Sequence, residues 1–374
     1  MASKNSNNFK PVSQIILQAK IPVTMSPKFS SICLKSSIVA VFLLLLQPAY
    51  SQYNWTDLES ELQAKQKLLG NDFVVMLWKK NDTLIYKKEF GIFNSKTSAP
   101  IASCSKWLTA ALVMQFVDEG KLSLDDKISQ WIPEFARYGK NYITIRHCLS
   151  HFTGVSDEEG FFKKLFQRKK FTSLEEEVNS FASREIRTNP GTDFWYGNIG
   201  LNIAGRVLEV ISKKRFDVLA KQKLFNPMTM RRTSFTSIDG TVVNPSGGAS
   251  STAEDYMKFL VMLLNEGQYG GKRILSEKSV NQLILIQTKS EQIKYAPKPA
   301  TGFNYALGSW VIDEHDGIAA ALASPGLFGT WPMIDLCGGY AYLVFVKNLL
   351  GEERAQTHLE LKRLVDEQIQ KPCK

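Results

Sequence analysis

The chain has 374 residues, 44% hydrophobic and 22% charged, with a formal net charge of +10. This is ordinary globular composition, long enough for one large domain or two modest ones, and it excludes disordered, collagen-like and coiled-coil chains. The only dense basic stretch, "FFKKLFQRKKF" (161–171), is followed at once by "SLEEEV" and has no recognition motif beside it, so nucleic acid is not an expected partner.

The first 51 residues carry five lysines and no acid, which is half of the net charge of +10. Within them an apolar block, Ile38–Leu46, follows Lys35 and precedes Pro48-Ala49-Tyr50-Ser51. Such a block is too short to span a membrane and reads as a secretory signal peptide with small residues at the cleavage site. Cleavage is expected before Gln52, leaving residues 52–374 exported, periplasmic or secreted, with no stable membrane anchor. An uncleaved anchor is the alternative. The stretch ahead of the block is long for a signal, and a start at Met25 restores an ordinary length.

After Gln52, "WTDLESELQAKQKLL" is apolar at helical spacing. Residues 72–94 hold two β-rich runs around Lys80-Asn81-Asp82-Thr83 and predict a hairpin. From Lys106, the positions Trp107, Leu108, Ala111, Leu112, Gln115 and Phe116 follow a helical period that Gly120 ends. Residues 121–240 read as mostly helix and loop, with an amphipathic helix at 200–214. Ser251 opens "STAEDYMKFLVMLL", and Glu254 three residues on predicts a capping box. Strands are expected at 305–313, 326–335 and 340–348, and a helix closes the chain. Strands without long crossovers between them favour antiparallel pairing. The expected fold is α+β: a sheet lobe from about 53–105 and 245–374, a helical lobe from about 106–244, and a cleft where they pack.

Five cysteines are present: Cys33 in the signal, then Cys104, Cys148, Cys337 and Cys373. No CxxC occurs, so zinc-ribbon and thioredoxin-like readings fail, and the four cysteines beyond the signal read as buried thiols. Cys104 is expected to face the core, and Cys337 with Cys373 is the one pair considered for a bridge. A GxSxG elbow is absent, because "GGASST" places Thr252 where glycine is needed. HExxH is absent too. His147 and His151, in "HCLSHFTG", could share a helix face as metal ligands, but no third ligand is visible. Local hydrogen bonding near a helix end is the preferred reading, and no metal is expected.

Ser103 and Lys106, in "ASCSKW", are the only Ser-x-x-Lys in the chain. At a helix start, a serine oxygen lies near unpaired N–H groups and positive dipole potential, and a lysine one turn on shares its face. A desolvated amine there could take the hydroxyl proton, or as an ammonium stabilise the deprotonated partner. A helix cap beside a surface lysine is the bland alternative. Tyr196-Gly197-Asn198 is the only Tyr-x-Asn. The phenol could relay a proton to a leaving group, and Asn198 could hold Lys106 and a substrate carbonyl. A buried aromatic beside a turn asparagine is the alternative.

Together with "IASCSKWLTAALVMQFVDEGKLSLDDKISQWIPEF", "ITIRHCLSHFTGV", "LFNPMTMRRTSF" and "GGASSTAEDYMKFLVMLLNEG", these motifs make the chain resemble the serine β-lactamase and penicillin-binding-protein superfamily, above all its class C β-lactamase/esterase-like branch. The resemblance runs from about Tyr53 to the C-terminus. It implies a β-lactamase/transpeptidase-like fold and an acyl-enzyme on Ser103, without metal or cofactor. Lys106 and Tyr196 would be the acid/base pair and Asn198 a substrate contact. The backbone N–H of Ser103 and one from an inner strand would form the oxyanion hole. The family's third motif is Lys-Thr-Gly or His-x-Gly, whereas the aligned residues here are Ser324-Pro325-Gly326. The glycine is expected to let substrate backbone approach, Ser324 to offer a hydrogen bond in place of the lost cation, and the Leu327 N–H to be the second oxyanion donor. Without that cation, an ester, or a peptide lacking the penicillin carboxylate, fits better than a β-lactam. The expected protein is an exported serine hydrolase acting on a small-molecule or peptide substrate. A catalytically silent binding protein of the same fold is the alternative, and the altered third motif speaks for it.

Overall fold

The run Phe73–Leu77 is buried at every position rather than at every second one. A strand with that pattern has both faces covered, and the architecture follows from this. The computed structural model describes residues 53–81, 83–156, 171–235, 242–348 and 355–369. The chain divides into Met1–Gln52 and a unit formed by Tyr53–Lys374. The expected signal peptide, Cys33, Cys373 and most of the basic stretch 161–171 lie outside the described residues.

Within the second unit, β1 (Phe73–Lys79) and β2 (Thr83–Phe90) form the expected hairpin, paired from Phe73↔Phe90 to Lys79↔Thr83. The C-terminal part supplies β3 (Asn304–Tyr305), β4 (Trp310–His315), β5 (Ile318–Ala323), β6 (Trp331–Asp335) and β7 (Tyr340–Val346). They complete a seven-stranded antiparallel sheet in the order β2-β1-β7-β6-β5-β4-β3. The two ends of the chain meet where Phe73 pairs with Val346 and Lys79 with Tyr340.

Alternate residues of β1 and β7 enter different cores, as a period of two requires. Phe73, Val75, Leu77, Tyr342 and Val344 pack with Leu58 and Leu62 of α1 (Thr56–Ala64) and with Leu361 and Val365 of α5 (Ala355–Gln368). Val74, Met76, Leu343 and Phe345 join the larger core on the other face. That core holds α2 (Ser105–Asp118), α3 (Ile199–Ser212) and α4 (Ala253–Leu264). Every residue of α2 from Ser105 to Phe116 is buried. A helix enclosed all round is a central core helix rather than a surface one.

Three local expectations need correction. The stretch 305–313 is two strands, β3 and the start of β4, because the chain folds back through a turn in which the Ala306 N–H donates to Ser309 O at 2.9 Å. The strand expected from 326 starts only at Trp331, and the alanine-rich β5 precedes it. The cap of α4 is Thr252, whose Oγ1 accepts from the Asp255 N–H at 3.1 Å. Ser251 is instead paired with Ala99, and Glu254 accepts from Ser95 Oγ at 2.8 Å. Cys104 and Cys148 are free and buried as expected. Cys337 is disulfide-bonded, contrary to the reading of all four as thiols.

A buried ion cluster ties α5 to the sheet. Lys362 Nζ lies 2.5 Å from Asp335 of β6 and 2.8 Å from Asp366. Tyr340 OH donates to Asp366 at 2.8 Å. Burial alone would lower the lysine, but the two carboxylates outweigh it and hold Lys362 above its ordinary range. Removing one partner of a buried pair leaves the other uncompensated, so Lys362→Ala is expected to lose about 3–5 kcal/mol. Urea unfolding should show an earlier midpoint with an unchanged slope. An unchanged midpoint would show that both aspartates are satisfied without Lys362.

Candidate active site

Ala102–Cys104 form one turn of 3₁₀ helix that runs directly into α2, with Ser103 at its centre. Ala102 has φ +44°, a left-handed conformation that alanine adopts only under constraint. The constraint is visible on each side of the turn. The Ile101 N–H donates to Ala249 O at 3.0 Å, and the Ala249 N–H donates to Ser105 Oγ at 3.0 Å. Tyr256 OH donates to Cys104 O at 2.8 Å. Cys104 faces the core, and burial pushes its thiol far above its ordinary value, beyond reach of a nucleophilic role.

Lys106 is 1% exposed. Its Nζ lies 3.2 Å from Ser103 Oγ, 3.1 Å from Asn198 Oδ1 and 2.9 Å from Ser246 O. It also stands 5.0 Å from the centre of the Tyr196 ring, within cation–π reach. Burial raises the Tyr196 phenol well above its usual value, partly offset by a hydrogen bond with the Ser103 hydroxyl. The structure therefore brings Ser103, Lys106, Tyr196 and Asn198 together, although the two pairs are far apart in the chain. Asn198 occupies the cap position of α3. Tyr196 is held beside it by the Tyr196 N–H donating to Tyr295 O at 3.1 Å, where Phe194–Trp195 pairs in parallel with Ile293–Tyr295.

Two contributors were not anticipated. Ser246 supplies a backbone carbonyl, and its own N–H donates to Asn202 Oδ1 at 3.0 Å. The loop chemistry of "NPSGG" marks a turn, but nothing in it announces which way a carbonyl points. The other is His151, buried against the Tyr196 ring with centroids 4.7 Å apart. Burial, with Lys106 adding to it, lowers His151 well below its ordinary value, so the imidazole is neutral. His147 serves its own helix: its N–H donates to Thr144 Oγ1 at 3.2 Å, and its Nδ1 accepts from the Thr144 N–H at 3.3 Å. Among the described residues no three His, Cys, Asp or Glu side chains are grouped to hold a metal ion.

The third motif is arranged differently from expectation. Ser324 is buried, and its hydroxyl lies 3.1 Å from Gly308 O and 3.4 Å from Ser103 O. Its hydrogen-bonding capacity is directed at the protein's own carbonyls and not at an open cleft. Gly326 is required by a close approach, but of the chain itself. A Cβ at 326 would lie 2.3 Å from Ile101 O and 3.0 Å from Cys104 Sγ. Leu327 is partly exposed beside this turn, and neither its N–H nor that of Ser103 meets a protein acceptor among the described residues. Gly326→Ala is expected to push the Ser103 turn from its place and cost about 1–3 kcal/mol, as overpacking does. Chemical denaturation of the variant checks this, and a wild-type midpoint would show that the turn yields freely.

With this geometry established, the chain can be compared with known proteins. It matches the Beta-lactamase family over residues 55–367. An uncharacterized protein of Mycobacterium tuberculosis is 24% identical over 330 residues, spanning 70% of this chain and 82% of that protein. A solved Bacteroides dorei structure of β-lactamase type superposes with a TM-score of 0.74 at 28% identity, covering 84% of this chain and 98% of the other. EstCE1, described as a hydrolase with promiscuous acyltransferase activity, superposes with a TM-score of 0.68 at 18% identity, covering 82% and 97%. By the match across nearly the whole of its second unit, and by the fold it shares, the chain belongs to the Beta-lactamase family.

Proposed function

We propose that the protein is an exported serine hydrolase that works through an acyl-enzyme on Ser103, with an ester, amide or peptide as substrate. The observation that carries this reading is the environment of Lys106 Nζ. Of the oxygens that hydrogen-bond to it, Asn198 Oδ1 and Ser246 O can only accept, whereas the Ser103 hydroxyl can accept or donate. An ammonium donates to Asn198, Ser246 and Ser103 alike. A neutral amine donates to the two pure acceptors and turns its lone pair to the Ser103 O–H. The proton can therefore move from Ser103 to Lys106 with every group still paired, as a nucleophile and its base require.

In the proposed reaction, Ser103 Oγ attacks the substrate carbonyl as Lys106 takes its proton. The oxyanion forms at the N-terminal end of α2, facing the N–H groups of Ser103 and Leu327. Tyr196, protonated through neutral pH, gives its proton to the leaving group and is recharged through Lys106. Water then attacks the acyl carbonyl by the reverse proton path and frees Ser103. Supporting this class of chemistry, the fold neighbour EstCE1 is described as a hydrolase with acyltransferase activity. With Ser324 turned inward, no side chain of the third motif offers a charge to a substrate carboxylate, so neutral esters and amides are favoured over penicillins. Export remains part of the proposal and rests on the apolar block Ile38–Leu46.

A fluorophosphonate probe should label the wild type on Ser103, and Ser103→Ala should abolish labelling and turnover with little change in stability. Ser105→Ala should keep the label but lose about 1–3 kcal/mol, because it orphans the buried Ala249 N–H. Tyr196→Phe should slow ester turnover by about 10²–10⁴-fold, the usual share of a positioned general acid. A wild type that binds ligands but is never labelled would place the protein with silent members of the fold.

A further inference from the structure

His151 takes no part in the proton path above, yet it touches the candidate centre along three consecutive residues. Its carbonyl accepts from the Trp195 N–H at 3.1 Å. Its ring lies against the Tyr196 ring. Its Nδ1 accepts from the Gly197 N–H at 3.4 Å, and its Nε2 lies 3.1 Å from Tyr305 OH. A backbone N–H pointing at Nδ1 selects the tautomer. Only the imidazole with its proton on Nε2 serves both contacts, so His151 donates to Tyr305. Tyr305 is itself anchored, since its backbone N–H donates to Thr288 Oγ1 at 2.8 Å. The backbone at His151 is left-handed, with φ +61°. A non-glycine residue keeps that conformation where its surroundings over-determine it.

We propose that His151 is a positioning residue for acyl transfer. As a neutral Nε2–H imidazole braced on Tyr305, it sets the turn Tyr196-Gly197-Asn198, so that the phenol meets Ser103 and Asn198 Oδ1 meets Lys106. The inference rests on Ser103 being the nucleophile. Gly197 lies between the two residues whose side chains reach the centre, so a shift of its N–H moves both. His151 acts through them and touches no reacting atom.

The test uses the full chain with His151→Asn, His151→Leu and Tyr305→Phe. Asparagine places an acceptor where Nδ1 stood and tolerates a left-handed backbone, whereas leucine removes both hydrogen bonds. On p-nitrophenyl acetate, His151→Leu is expected to lower kcat by about 10²-fold, the scale of a small misplacement, with KM little changed. His151→Asn should recover most of kcat. Tyr305→Phe should fall between them. Near-UV circular dichroism establishes that each variant is folded, and if leucine fails to fold, the Asn and Phe variants decide. In ¹⁵N-histidine spectra of the wild type, His151 should keep an unprotonated Nδ1 and a protonated Nε2 from about pH 8 down to 5. A folded leucine variant at the wild-type rate, an asparagine variant as slow as leucine, or an Nδ1–H tautomer would each overturn the proposal. Absence of fluorophosphonate labelling in the wild type would instead remove the hydrolase reading, and the tautomer would still show whether His151 holds the turn.

Discussion

A lysine nitrogen buried to 1% exposure must be met by oxygens, or the fold bears the cost of an unpaired buried charge. At Lys106 that requirement organises the molecule. Its oxygens come from the turn before α2, from the cap of α3 and from the loop ahead of α4. Other polar residues of α2 hold the same loop. Ser105 accepts from the Ala249 N–H, and Thr109 Oγ1 donates to Pro245 O at 2.6 Å. Ser105 and Thr109 are four apart and so share a face. α2 is thus an enclosed helix from which Ser105, Lys106 and Thr109 reach outward to parts of the chain that must arrive in register. Misplacing any of them would leave a buried polar group unpaired.

The same turn that presents Ser103 is strained at Ala102, at a cost of order 1–3 kcal/mol. Strain of that size persists only where neighbours fix the chain on both sides. Ile101 is held through its N–H by Ala249, while Gly326 packs directly on its carbonyl. Ser324 reaches both Ser103 O and Gly308 O. In this protein the third motif braces the backbone of the Ser103 turn. A small neutral residue suits that task, because a longer cationic side chain at 324 would have to abandon the two carbonyls or bury its charge among them.

Much of this was legible in the sequence where a period repeats over several turns or pairs. The hairpin at 72–94, the helix from Lys106 to Gly120 and the helix around 200–214 are all present, and each rests on many residues. Single-residue choices were harder to read. Ser251 and Thr252 can both cap a helix, and the pairing of Ser251 with Ala99 decides for Thr252. β5 is a strand because its neighbours pair with it, as its alanines carry little strand preference of their own. At the site, Ser103, Lys106, Tyr196 and Asn198 were readable because side-chain chemistry and spacing travel with the sequence. Ser246 contributes only a carbonyl, and His151 acts through a backbone N–H. Contributions of that kind depend on backbone direction, which no residue letter records.

The electrostatics of the site then follow from what surrounds Tyr196. His151 is neutral, and Phe194, Tyr305 and Trp310 complete an aromatic cluster with edge-to-face and tilted contacts. Tyr305 is buried and its phenol is raised well above its ordinary value, chiefly by burial, so it too stays uncharged. In the proposed reaction Lys106 accepts the Ser103 proton and so starts as a neutral amine, which leaves the start of α2 as the source of positive potential at the Ser103 turn. A substrate carboxylate placed beside this wall would lose its water and gain no cation from Ser324. An uncharged acyl group would lose little and would meet ring faces and edges instead. In the proposed hydrolase the discrimination would therefore arise from the cost of desolvating charge, and it would favour neutral acyl donors whose developing negative charge appears only at the oxyanion.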